Sequence, residues 1–275
     1  MSAEEELILQ SGERLDDLLT HHLKIIQSSE VFSFSLDAVL LARFAGVPPR
    51  GRILDLCTGN GVIPMLLTTR TAATIDGVEI QPRLADMASR SVRFNRLNDR
   101  IHIIEGDLRE WKPEGELYDA VTVNPPYLPV ASGDRKENIH QAMARHEIGC
   151  KLEDVVAACA RSVKAGGKVA MVHRPSRMAD IIDLMRRYRI EPKRIRFVHP
   201  RKDAEANMIL IEGTRDGRPE VRLLPPLIVY EEDGEYTQEL LAVFYGQAAE
   251  LPDFKRTNGR TPAVKRNREG EEKRS

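Results

Sequence analysis

The sequence predicts an α/β fold with an open, mostly parallel sheet of seven strands and helices on both of its faces. Short apolar runs alternate with stretches of helical periodicity from residue 52 onward, which is typical of parallel strands joined by right-handed crossover helices. The last two runs are joined by a connection too short for a helix, so the final strand is expected to run antiparallel to its neighbour. Ligands of such sheets bind beyond the carboxyl ends of the strands, where functional residues are therefore expected.

The predicted strands and helices follow each other in a regular order. Helical periodicity marks residues 81–97 and 152–163, and the pair Gly166-Gly167 is expected to end the second of these helices. The five parallel strands and the two that close the sheet are predicted, in chain order, at residues 52–56, 74–79, 101–105, 119–123, 168–173, 194–198 and 207–212.

Segments of a different character flank the predicted sheet. Residues 1–45 are predicted to form an N-terminal extension with a lid-like segment, in which Ser35 caps a helix and Asp37 lies in its first turn. Residues 46–247 form the predicted main domain. Residues 248–275 are basic and carry almost no large apolar residue after Phe254, which predicts a disordered tail.

Composition places the chain among ordinary globular proteins. A net charge of −1 over 275 residues gives no argument for a polyanionic partner, although residues 174–202 are locally basic. No apolar run approaches the roughly 20 residues of a membrane helix, and the acidic start lacks the layout of a signal peptide, so we expect a cytoplasmic protein without a membrane partner. The widely spaced Cys57, Cys150 and Cys159 form no disulfide or zinc pattern, and no metal is expected.

The tetrapeptide Asn124-Pro125-Pro126-Tyr127 follows the fourth predicted strand and suits the methylation of a planar amine. The amide oxygen of Asn124 and the carbonyl of Pro125 can both accept hydrogen bonds from one exocyclic NH2 group. These contacts draw the nitrogen toward sp3 geometry and aim its lone pair at a methyl group, while Tyr127 offers a stacking face. The alternative is a turn that merely ends a strand; the residues at the preceding strand ends favour the catalytic interpretation.

A nucleoside-binding site is predicted at the ends of the first three strands. The spacing Asp-x-x-x-Gly-x-Gly lets the backbone turn tightly beside a ligand, and a dinucleotide is disfavoured because Pro64 replaces the third glycine of GxGxxG. Glu79 is placed to accept hydrogen bonds from both ribose hydroxyls, and Asp107 from the adenine amine. The predicted cofactor contacts are Asp55, Thr58, Gly59, Asn60, Gly61, Glu79, Ile80, Asp107, Leu108 and Asn124, together with Phe34, Ser35 and Asp37 of the lid-like segment.

With these motifs the chain resembles the class I S-adenosylmethionine-dependent methyltransferases over about residues 30–215, although Cys57 stands where many members have glycine. The resemblance implies a Rossmann-like sheet of strand order 3-2-1-4-5-7-6, with the seventh strand antiparallel, and S-adenosylmethionine as the cofactor. The chain is further similar to the bacterial tRNA1(Val) (adenine(37)-N6)-methyltransferase family through residues 23–27, 31–41, 145–147 and 199–212.

This similarity implies methylation of the N6 amine of adenine 37 in the anticodon loop of a valine tRNA. The residues expected to contact the RNA are Tyr127, Arg145, His146, Arg174, Arg201 and Lys202. The motif at Asn124 is also shared by rRNA guanine-N2 methyltransferases and by release-factor glutamine-N5 methyltransferases, for which a helical substrate-binding domain is expected ahead of the sheet. An inactive RNA-binding module is the alternative from a different class, and monomer and homodimer both stay open.

Overall fold

A mostly parallel sheet forms the centre of the computed structural model, which describes residues 9–31, 36–126 and 150–246. An antiparallel hairpin precedes it, made of β1 (Glu13–Asp17) and β2 (Lys24–Ser28). The strands of the sheet are β3 (Arg52–Leu56), β4 (Thr74–Glu79), β5 (Ile101–Glu105), β6 (Tyr118–Val123), β7 (Val163–His173), β8 (Ile190–His199), β9 (Met208–Arg215), β10 (Arg222–Leu223) and β11 (Leu227–Ile228). The helices are α1 (Leu36–Phe44), α2 (Val62–Leu67), α3 (Pro82–Phe94), α4 (Leu152–Ser162), α5 (Met178–Arg187) and α6 (Gln238–Phe244), with one 3-10 turn at Pro175–Arg177.

The order of the seven long strands across the sheet is β5-β4-β3-β6-β7-β9-β8. Numbered from β3, this is the predicted order 3-2-1-4-5-7-6. The pairs from β5 to β7 are parallel, whereas β9 runs antiparallel to both β7 and β8. The predicted fold class is therefore confirmed. The two-residue strands β10 and β11 extend the sheet by pairing with the outer edge of β8, and neither strand was predicted from the sequence.

One predicted helix boundary is wrong. Helix α4 ends at Ser162, and β7 begins directly at Val163, so Gly166 and Gly167 lie within the strand. Gly166 has a φ of +78°, and a Cβ on Gly167 would lie 3.0 Å from the carbonyl oxygen of Asp119. These glycines permit the irregular pairing that occurs here between β6 and β7.

Both faces of the sheet are buried, as expected for parallel strands covered by helices. Ile53 and Ala120 pack into one core with α1, α2 and α6, while the adjacent Leu54 and Val121 pack into a second core with α4 and α5. This alternation follows from the period of two along a strand. The predicted helices on both faces are therefore confirmed.

The N-terminal hairpin is attached to α3 and to the loop after β3. Ile26 packs against Leu84 and Met87 of α3, and its carbonyl accepts a hydrogen bond of 3.2 Å from Nδ2 of Asn60. Helix α1 is buried along almost its whole length within the first core. The predicted domain boundary at residue 45 stays a prediction. Within the described residues, none of the helices is long and apolar enough to cross a bilayer.

Candidate active site

The carboxyl ends of four parallel strands meet at one edge of the sheet. Leu56 at the end of β3 pairs with Val78 of β4 and with Val123 of β6, and Val78 pairs with Ile104 of β5. Since neighbouring strands in register end at the same edge, the loop after β3, the acids Glu79 and Asp107, and Asn124 are brought to that edge. The convergence expected from the sequence is thus present in the backbone.

The loop after β3 turns through three left-handed residues. Cys57, Gly59 and Gly61 have φ values of 56°, 58° and 85°, a region that glycine enters without a steric cost and other residues enter rarely. A Cβ on Gly61 would lie 3.1 Å from Cβ of Ala88, whereas a Cβ on Gly59 would meet no atom within 4 Å. Gly61 therefore allows α3 to pack closely, and Gly59 leaves space in which a ligand can approach the backbone.

Asp55 lies beneath this loop and is completely buried. Its two carboxylate oxygens accept hydrogen bonds of 2.6 Å from Oγ1 of Thr58 and from Oγ1 of Thr122. Burial raises the pKa of Asp55 to about 7, and the nearby charge of Glu79 adds to this effect. These contacts join the loop after β3 to the strand that carries Asn124, so they indicate that Asp55 positions the site. Direct contact of Asp55 with the cofactor stays a prediction.

Glu79 holds the loop from the neighbouring strand. Its Oε2 accepts a hydrogen bond of 2.8 Å from the amide of Gly59, and its Oε1 accepts one of 3.0 Å from the amide of Gln81. Burial raises the pKa of Glu79, while these backbone donors oppose the rise. A carboxylate offers about four lone-pair directions, and because the backbone of Ile80 is a further donor, Glu79 keeps capacity for one ribose hydroxyl; its contact with both hydroxyls stays a prediction. The exposed Ile80 follows directly.

Asp107 begins a tight turn after β5, in which the amide of Trp111 donates to its carbonyl at 2.8 Å. The Arg109 guanidinium is hydrogen-bonded to the side chain of Asp107 and holds the pKa of that carboxyl below its ordinary value. Leu108 is buried in the second core, and its carbonyl accepts a hydrogen bond from Arg161. Leu108 and Arg161 therefore anchor the turn to the second core, and Asp107 and Arg109 lie on its outer side.

The segment Asn124-Pro125-Pro126 follows β6 directly. Asn124 and Pro126 are partly exposed, and Pro125 is buried. Because proline lacks an N–H group, neither proline can donate to a neighbouring strand, and the chain leaves the sheet at this point. The partly exposed amide side chain of Asn124 thus lies at the edge where the loop after β3 and Glu79 also end.

Two further predicted cofactor contacts, Asp37 and Asn60, are buried and hydrogen-bonded within the protein, and their contact with the cofactor stays a prediction. Asp37 is buried in the first turn of α1, and its Oδ1 accepts a hydrogen bond of 2.9 Å from the amide of Ala38. Asn60 is also buried, with its amide directed to the hairpin. Predictions for several other site residues lie outside the described residues, namely for Phe34, Ser35, Tyr127, Arg145 and His146.

Three of the basic residues predicted to contact RNA lie at the same edge of the sheet. Arg174 is exposed directly after β7, and Arg201 and Lys202 are exposed in the turn after β8, which runs parallel to β7. Lys202 forms an ion pair with Glu232. A cavity of about 960 Å³ opens at this turn, and its lining includes Arg201 and Lys202 as well as the acids Asp203, Glu231, Glu232, Asp233 and Glu239. The positive charge of Lys202 is thus offset locally.

Two features of the site were missed in the sequence. The hydroxyls of Thr58 and Thr122 that hold Asp55 lie in separate segments and acquire meaning only once β3 and β6 are paired. The ion pair between Arg109 and Asp107 had a local signal, since an arginine two residues after an acid in a turn can fold back upon it.

The arrangement fits the adenosine part of S-adenosylmethionine. The backbone at Gly59 is open to a ligand, Glu79 retains acceptor capacity beside it, and Asp107 follows β5, the next strand of the sheet. These are acceptors for ribose hydroxyls and for an exocyclic amine. No group of three or more His, Cys, Asp or Glu side chains suited to a metal ion occurs in residues 9–31, 36–126 and 150–246.

Comparisons with known proteins agree with this geometry. The family described as methyltransferase small domain matches residues 22–186. A protein of Aeromonas hydrophila named tRNA1(Val) (adenine(37)-N6)-methyltransferase is 30% identical over 216 residues, which cover 76% of this chain and 88% of that protein.

Solved structures show the same fold. A protein of Agrobacterium tumefaciens described as a predicted O-methyltransferase has a TM-score of 0.63 at 23% identity, covering 78% of this chain and 98% of its own. The geranyl diphosphate C-methyltransferase of Streptomyces coelicolor, solved with S-adenosyl-L-homocysteine, has a TM-score of 0.50 at 15% identity, covering 65% and 79%. Together with the family match and the site geometry, these likenesses show that the chain belongs to the methyltransferase small domain family and is an S-adenosylmethionine-dependent methyltransferase.

Proposed function

We propose that this enzyme methylates the N6 amine of an adenine in tRNA, and that its target is adenine 37 in the anticodon loop of tRNA1(Val). The observation that carries the proposal is the position of Asn124-Pro125-Pro126 at the end of β6, next to the strand that leads into the cofactor loop. The name of the Aeromonas relative supports the choice of tRNA and of position 37.

The residues of this chain act by orienting the amine. The Asn124 side-chain oxygen and the Pro125 carbonyl accept its two hydrogens, which turns the nitrogen lone pair toward the cofactor. Bound S-adenosylmethionine supplies an electrophilic methyl group and leaves as a neutral thioether. Because the surplus proton can depart from the amine after the transfer, no side chain is assigned as a general base.

Buried hydrogen bonds beneath the site hold the cofactor loop and Asn124 in place relative to each other. Asp55 is hydrogen-bonded both to Thr58 in the cofactor loop and to Thr122, two residues before Asn124. These bonds are buried, and buried hydrogen bonds to a carboxyl group are costly to break. We therefore assign Asp55, Thr58 and Thr122 to the alignment of donor and acceptor.

The substrate class agrees with the charges at this edge. An adenine in a single-stranded loop can be splayed outward at less cost than a paired base. Arg174 stands exposed after β7 at the carboxyl edge of the sheet, where it can receive a phosphate of the loop. Arg201 adds a second positive charge in the turn after β8.

The test is product identification with defined substrates. The enzyme is incubated with methyl-labelled S-adenosylmethionine and with an unmodified tRNA1(Val) transcript, with the same transcript carrying guanine at position 37, with rRNA and with a release factor. Mass spectrometry of the digests is expected to show N6-methyladenosine from the first transcript alone. Methylguanosine from rRNA, methylglutamine from the release factor, or no product from any of the four would contradict the proposal.

A further inference from the structure

Arg109 covers the carboxylate of Asp107 more completely than a simple ion pair requires. Its backbone amide donates to Oδ1 at 2.8 Å, and its Nε lies 3.0 Å from Oδ1 and 2.9 Å from Oδ2. Its Nη2 also donates to Oδ2. Each oxygen of Asp107 thus receives two contacts, and all of them come from one residue.

This coverage takes up most of the capacity of the carboxylate. An ionised carboxylate offers about four lone-pair directions, and Arg109 directs three N–H groups at them, with the single Nε–H shared between both oxygens. The adenine amine that Asp107 is proposed to receive therefore competes with Arg109 for the oxygens of Asp107. Glu79 differs in this respect, because its donors are backbone amides, which cannot swing away as a side chain can.

The Arg109 side chain is free to make that exchange. Its side chain is 46% exposed, compared with 19% for Asp107, so its guanidinium can move into water while the carboxylate stays in place. Ion pairs at such exposure contribute little to stability. A ligand amine can therefore displace the guanidinium at a small cost in free energy. That cost lowers the affinity for the ligand.

We infer that Arg109 is a positioning residue that competes with the 6-amino group of the cofactor for Asp107 and so sets how strongly the enzyme distinguishes nucleosides with and without that amine. The inference rests on the proposed contact between Asp107 and adenine. With Arg109 in place, displacement of the guanidinium offsets part of the binding free energy that the 6-amino group contributes. Without Arg109, the whole of that contribution separates the affinities for nucleosides with and without the amine.

Calorimetric titration with two thioethers tests this competition without turnover. One ligand is S-adenosylhomocysteine, and the other is the same molecule with hydrogen in place of the 6-amino group. Arg109→Ala is expected to raise the ratio of the two affinities by roughly two- to fivefold, the range of an exposed ion pair. Arg109→Lys, which keeps the charge but cannot bridge both oxygens, should raise the ratio less.

The matched control is Arg189→Ala, because Arg189 forms an exposed ion pair of 2.8 Å with Asp216 at the opposite edge of the sheet. Its affinity ratio should equal that of the unaltered enzyme, and thermal unfolding checks that every variant is folded. An unchanged ratio in Arg109→Ala, or an equal change in both affinities, would overturn the role of Arg109. Failure of the unaltered enzyme to bind either thioether would instead contradict the assignment of the cofactor site.

Discussion

At the scale of single residues, Asn124 is the group on which the proposed chemistry depends most directly. Asn124→Ala removes the amide oxygen that orients the amine, so we expect kcat to fall by roughly 100-fold or more, with little change in the affinity for S-adenosylhomocysteine. Single-turnover rates and calorimetry measure the two quantities. Asn98→Ala, exposed in the connection before β5, is the control and should leave both unchanged. A matching loss of cofactor affinity in Asn124→Ala would contradict the assigned role.

Asp55 is expected to make folding stability depend on pH. Its pKa rises from 3.8 to about 7 on burial, so the folded state binds a proton more tightly than the unfolded state does. The free energy of unfolding should therefore fall as pH rises from about 4 to about 7, by on the order of 4 kcal/mol, and level off above.

Asp55→Asn keeps the shape of the side chain and removes this titration. The difference in urea unfolding free energy between the two proteins should vary with pH across that interval and be constant above it. A constant difference at every pH would show that burial does not perturb Asp55. Glu79 remains in both proteins, but because its charge acts on Asp55, its own contribution cancels only in part.

The same residues show how much of the site was open to prediction. The acids at the strand ends were found because spacing after an apolar run fixes their position on a parallel sheet. The buried hydrogen bonds of Asp55 were not found, since one of them comes from Thr122, which is 67 positions away. Asp107 was found, but its engagement by Arg109 depends on side-chain geometry that spacing does not encode.

At the scale of elements, the loop between β3 and α2 should be sensitive to side chains that its backbone cannot accept. Gly61→Ala places a Cβ at φ +85° and 3.1 Å from Ala88, whereas Gly115→Ala places one at φ +77° in open space. Both should lose about 1 kcal/mol of stability through the left-handed backbone. Only Gly61→Ala should lose more than that and bind S-adenosylhomocysteine less tightly. Equal losses in both, measured by urea unfolding and calorimetry, would mean that contact with α3 is unimportant.

Strands and helices were predicted correctly where the segment was long enough to show a clear hydrophobic pattern. Each of the seven long strands contains several apolar residues, and each was located within a few residues, apart from the early start of β7. Gly166-Gly167 misled because paired glycines end helices and also permit irregular strands. The strands β10 and β11 have two residues each, too few to show any period, and form only because β8 offers an edge.

At the scale of the whole molecule, the distribution of charge should decide which basic residues matter for RNA. Arg174→Ala is expected to weaken tRNA binding and to reduce the slope of log affinity against log salt by about 0.7, the value for one phosphate contact of a single strand. Lys202→Ala should have a smaller effect because Glu232 already pairs with Lys202. Fluorescence titrations over a range of salt concentrations measure both slopes.

The control for this comparison is again Arg189→Ala, at the opposite edge of the sheet. It should leave affinity and salt slope unchanged. A larger loss for Lys202→Ala than for Arg174→Ala would indicate that tRNA displaces Glu232, and a loss for Arg189→Ala would indicate that binding follows total charge instead of this edge.

The two short strands beside β8 cover part of the outer edge of the sheet, and we expect them to limit self-association. The ten residues of β8 would otherwise present a row of unpaired amide and carbonyl groups. A strand of another copy could form hydrogen bonds with this row. Instead, β10 and β11 cover two stretches of that row, and Pro225 and Pro226 between them offer no N–H group for further pairing. A chain shortened to end at residue 216 would uncover β8 and would also lose Leu227 and α6 from the first core, so it is expected to aggregate even though it would keep every strand-end residue of the methyltransferase site.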